Sequence, residues 1–90
     1  MTSESQHLEA NFITLAMSVA SAAAMSLGLA PDPTTKQTKV NLPMARFNID
    51  LLEMLQIKTK GNLEKEEADF ITRVVADLKM KFVEVSKNEK

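Results

Sequence analysis

The chain of ninety residues contains no cysteine, tryptophan or tyrosine, a single histidine and two glycines. Each absence removes a class of chemistry. Without cysteine there is no disulfide, no thiol nucleophile and no thiolate metal site, and the composition suits a reducing compartment. With His7 as the only imidazole, neither a histidine-based triad nor a histidine metal cluster can form within one chain. Gly28 and Gly61 both fall at expected helix ends, so no glycine-rich phosphate loop and no EF-hand loop is present. Eleven basic and twelve acidic residues give a net charge of −1, so the basic stripe that nucleic acid demands is missing. Lys36, Lys39, Arg46, Lys58 and Lys60 are interrupted by Asp50 and Glu53 and read as solvated surface.

What is there begins with Phe12–Ala30, FITLAMSVASAAAMSLGLA, an uncharged run that must be sheltered from water. On a helical wheel Phe12, Leu15, Val19, Ala22 and Leu29 form one stripe, and Ile13, Ala16, Ala20, Ala23 and Leu27 form a second beside it. Together they exceed the single stripe of a surface helix. The weakest face carries Thr14, Ser18, Ser21 and Met25. A membrane span is the sharper reading of such a run. Four hydroxyls, no Lys or Arg before the run and no interfacial Trp or Tyr weigh against it. An export signal is disfavoured too, because the preceding residues carry Glu4 and Glu9 and no basic group. A buried helix in a soluble, cytoplasmic protein is the favoured reading, and its small side chains invite close approach by another backbone.

The chain is expected to be all-α: an apolar N-terminal helix packed on a C-terminal antiparallel helical hairpin. Residues 1–6 read as a disordered terminus and 7–88 as one domain, with helices near 8–28, 42–60 and 63–86 and a connector over 29–41. Pro31 and Pro33 block continuation of the first helix. Asn41 and Pro43 start the second, whose expected apolar face is Met44, Phe47, Leu51, Leu52, Met54 and Leu55. Met44 and Met54 are expected in the core, while Met25 and Met80 are left open. Ile49 and Ile57 are expected to point outward among Arg46, Asp50, Glu53 and Lys60, with Arg46 and Asp50 at pairing distance. Gly61 suits a helix stop and Asn62 a helix start, so the link implies a tight hairpin.

The third helix buries Phe70, Ile71, Val74, Val75, Leu78, Phe82 and Val85. Lys65, Asp69, Arg73, Asp77 and Lys81 form an alternating ladder, read as a solvated face, not an acid–base set. Ala76, Met80 and Val83 lie off the main face as a second apolar seam. No catalytic constellation, cofactor site or metal site is found. Asp50, Glu53, Asp69 and Asp77 all fall on expected solvent faces.

These residues carry a resemblance. The FITLAMSVASAAAMSLG helix, the PDP connector, Ile49–Leu63 (IDLLEMLQIKTKGNL) and the closing DLKMKFVE resemble the family called domain of unknown function eighteen forty-four, over Phe12–Glu84. The resemblance implies a bacterial, helical, cytoplasmic protein and transfers no residue roles.

The surplus apolar positions favour a non-enzymatic module that self-associates, most simply as a homodimer. Its candidate interface is Ile49, Ile57, Ala76, Met80 and Val83, with Ser18, Ser21 and Met25 on the first helix. The alternatives are an adaptor that docks another protein or a membrane surface, and a ligand-binding protein with 29–41 as its lid.

Overall fold

A computed structural model describes residues 9–88. The expected terminus over 1–6, with His7 and Leu8, lies outside the described residues. Three helices run in order: α1 (Phe12–Ser26), α2 (Leu42–Lys58) and α3 (Lys65–Asn88). Each packs on both others, α1 most extensively against α2. The arrangement is all-α, and the described residues contain no strand, only an isolated bridge between Leu27 and Val40.

The helix ends follow local chemistry. At α1 the Asn11 carboxamide oxygen accepts from the Thr14 amide at 2.8 Å, so the helix begins at 12, later than the expected 8. Glu9 and Ala10 stay outside it. The other end is a Schellman stop: Leu29 N–H donates to Ala24 at 2.9 Å and Gly28 N–H to Met25 at 3.0 Å. Gly28 adopts φ +76 there, and α1 ends at Ser26, two residues before the expected 28. Asn41 caps α2 as expected, accepting from Met44 N–H at 3.1 Å, with Pro43 in the first turn. α2 ends at Lys58, with Thr59 as its cap instead of continuing to 60.

Asn62 does not start α3. Its amide closes a turn onto the Thr59 carbonyl at 2.8 Å, and the helix begins at Lys65 instead of 63. Glu64 opens it, its carbonyl accepting from Ala68 and its N–H donating to the Glu67 carboxylate at 2.9 Å. A Glu67 carboxylate that accepts from the Glu64 N–H outcompetes a lone Asn as the start of the helix. The helix then runs to Asn88, beyond the expected 86.

α2 and α3 are an antiparallel hairpin. Gln56 donates to Thr72 at 2.8 Å, and Glu53 pairs with Lys79 farther from the turn. Ala16, Ala23, Leu27, Ala45, Ile49, Leu52, Ile71, Val75 and Leu78 form the core. Three alanines in one core let the backbones close in, as the small-residue composition of α1 leads one to expect. The shape is a slab of 40 × 38 × 15 Å with a radius of gyration of 14.3 Å. A chain of this length packed as a sphere has about 12 Å. A slab buries less of itself, so more apolar surface stays outside.

Candidate interaction surface

The rotation of α2 decides which residues are available. Its buried face is Ala45, Asn48, Ile49 and Leu52, spaced three, one and three apart. Ile49 is 2% exposed, which corrects the expectation that it points outward as an interface residue. The hairpin partner and α1 cover the side on which it sits. The expected core residues Met44, Phe47 and Met54 are instead 48%, 56% and 42% exposed. Leu51 between them is half-buried.

The reason is size. The α1 face toward this core is lined by Ala16 and Ala23, and such a surface is approached closely only by a small partner. Ala45, fully buried, supplies it, and the bulkier stripe turns away. Met44, Phe47, Leu51 and Met54 then repeat at three, four and three residues, the spacing of a helical seam. Beside it Arg46 donates to Asp50 at 3.2 Å, as expected from their spacing.

Asn48 is the residue sequence reasoning passed over. It is a buried polar side chain whose amide donates to the Met44 carbonyl at 3.0 Å. The signal was present: Asn48 shares the three–four stripe of Ala45 and Leu52.

The remaining candidates lie as follows. Ile57 is 71% exposed, and Ala76, Met80 and Val83 are exposed on the α3 face opposite Ile71, Val75 and Leu78. The same stripe carries Asp69, Arg73 and Lys87. Ser18 and Ser21 are exposed on α1, opposite Ala16 and Ala23, and Met25 is half-buried. Ser18 donates back to the Thr14 carbonyl at 3.1 Å, the usual way a hydroxyl is accommodated within a helix. Of the α3 ladder, Lys65–Asp69 and Asp77–Lys81 pair at 2.9 and 2.6 Å. Arg73 has no ion-pair partner among the described residues.

The connector takes a defined path. The Leu27–Val40 bridge and an Asn41 N–H bond to the Ser26 carbonyl, at 2.7 Å, bring its ends together. Within it the Asp32 carboxylate accepts from Thr34 N–H at 2.7 Å, and Lys36 sits at φ +62. This is a pinned loop. It borders a groove of about 490 Å³ with Met25 and Met44 as apolar walls and Asp32, Thr35, Lys39 and Asn48 as polar ones.

Among the described residues, no group of three His, Cys, Asp or Glu side chains is placed to hold a metal ion. No helix there is long and apolar enough to cross a membrane.

The model for the domain of unknown function (DUF1844) matches residues 9–84, which takes in all of α1, α2 and most of α3. The chain belongs to this family. That span includes the alanine-lined core, the pinned connector and the exposed α2 seam, so all three lie inside the family domain. No curated protein and no solved structure matches the chain.

Proposed function

We propose that the chain is a small non-enzymatic helical module that acts by self-association, in the simplest case as a symmetric homodimer in the bacterial cytoplasm. The observation that supports this reading is the large apolar surface left outside a slab-shaped core, with Phe47, Ile57 and Met80 each more than half exposed. Small domains commonly cover such surface with a copy of themselves, which also adds the core they lack. Aromatic and methionine side chains free of charge are the composition of interface centres. Sedimentation of the untagged chain across micromolar concentrations tests it. A species of twice the 10.0-kDa chain mass is expected. A clean monomer at every concentration defeats the reading.

A second reading rests on the groove beneath the connector. Its mixture of two methionines with Asp32, Lys39 and buried Asn48 suits a small polar ligand, with the pinned loop as its cover. A thermal-shift screen of metabolites should then raise Tm for at least one compound class. A flat response across the screen removes it.

A further inference from the structure

We infer that the groove beneath the connector binds a small zwitterion of the free amino-acid class, through Asp32, Asn48 and Lys39. This ligand class deepens the second reading above, on which it rests, and is independent of self-association.

The anchor is Asn48, one turn beyond Met44 on the side of α2 that borders the groove. It is only 8% exposed. Its amide nitrogen donates to the Met44 carbonyl at 3.0 Å, which fixes the orientation of the carboxamide, because a carbonyl only accepts. The carboxamide oxygen is left without a donor among the described residues. Every enclosed polar side-chain atom there has a partner, so this oxygen is not enclosed. It opens on the groove that Asn48 lines. Such an acceptor is satisfied only by a donor that enters from outside.

The connector adds one charge of each sign. One oxygen of Asp32 is spent on the turn, accepting from the N–H groups of Thr34 and Thr35 at 2.7 and 3.4 Å, and the other is not. Lys39 borders the same groove. The two charges do not pair with each other, and neither belongs to an ion pair among the described residues. Other polar groups nearby are already committed. Ser26 donates to the Ala22 carbonyl, and the Asn41 oxygen caps α2.

Two acceptors, one of them charged, thus stand with one ammonium and two methionine walls in about 490 Å³. A primary ammonium carries three donors and meets both acceptors, while a carboxylate answers Lys39. A free amino acid with an apolar side chain carries all three parts. An amine without a carboxylate leaves Lys39 facing a like charge, and an acid without an amine does the same to Asp32. Both side chains are solvent-exposed, so the charges select the ligand more than they tighten it.

The full-length chain is titrated calorimetrically with leucine and methionine as free amino acids, with butylamine and with hexanoate. At least one amino acid should bind with Kd below about 1 mM, and each singly charged probe at least about tenfold more weakly. Asp32→Asn keeps an oxygen for the Thr34 and Thr35 amides and loses the charge. Its unfolding midpoint should hold while affinity for the amino acid falls about tenfold. Asn48→Leu keeps the bulk without the acceptor and should lose about as much; if it does not fold, Asp32→Asn alone decides. No amino-acid binding, binding no tighter than that of butylamine or hexanoate, or an affinity unchanged in Asp32→Asn each overturn the inference. If the metabolite screen still finds another class of ligand, the second reading stands without this one, and a flat screen removes both.

Discussion

Leu52 and Phe47 sit on one helix and have opposite fates, and their substitutions should separate folding from association. Leu52 is fully buried, so Leu52→Ala removes packed surface and leaves a cavity. A loss of about 2–5 kcal/mol is expected, read as a lower denaturant midpoint. Phe47 is more than half exposed, so Phe47→Ala should change the stability of the separated chain by less than about 1 kcal/mol. Its effect should appear in the association constant instead. Ala23 tests the close approach of the helices from the other direction. It is fully buried in the alanine-lined core, and Ala23→Leu should overpack it at a cost of about 1–3 kcal/mol. If Ala23→Leu leaves the unfolding midpoint unchanged, the close approach of the helices does not depend on a small side chain at this position.

At the scale of the element, a glycine with positive φ stands at the end of α1 and another in the turn between α2 and α3, but their surroundings differ. A Cβ on Gly61 meets nothing within 4 Å, whereas one on Gly28 comes 2.9 Å from the Val40 methyl. Gly61→Ala should therefore cost about 1 kcal/mol from backbone strain alone. Gly28→Ala should cost clearly more, since it also pushes the connector off the end of α1. Equal losses in thermal unfolding would mean that the Leu27–Val40 closure contributes nothing. The four ion pairs of the described residues lie at or near the surface, including Arg46–Asp50 and Lys65–Asp69. Exposed pairs contribute little and are screened by salt. Raising salt to about 1 M should thus shift stability by less than about 1 kcal/mol.

At the scale of the whole molecule, a slab 15 Å thick leaves a large apolar share of a ninety-residue chain in contact with water. If a copy covers that surface, unfolding is coupled to dissociation, and Tm should rise with protein concentration. A concentration-independent Tm over two decades would contradict self-association independently of any mass measurement.

Much of the architecture was legible in the chain because it is local. The number and order of helices, the Asn41 cap, the stop at Gly28 and the hairpin at Gly61 each depend on a few adjacent residues. The Arg46–Asp50 pair is equally local, one turn apart on one helix. The candidate surface was legible only in part. Ile57, Ala76, Met80 and Val83 are exposed as periodicity indicates, but Ile49 is buried, and Met44, Phe47 and Met54 are not. The connector's closure was not legible either, since it depends on Val40 meeting the end of a helix thirteen positions earlier.

Sequence by itself determined that this is a three-helix chain with more apolar residues than one small core absorbs, because propensity, caps and periodicity act within a turn or two. Only the tertiary structure decided which side of α2 faces inward. That helix carries two apolar stripes, and periodicity weighs them by bulk. Packing against the alanines of α1 weighs them by fit, and the fit belongs to Ala45, Ile49 and Leu52.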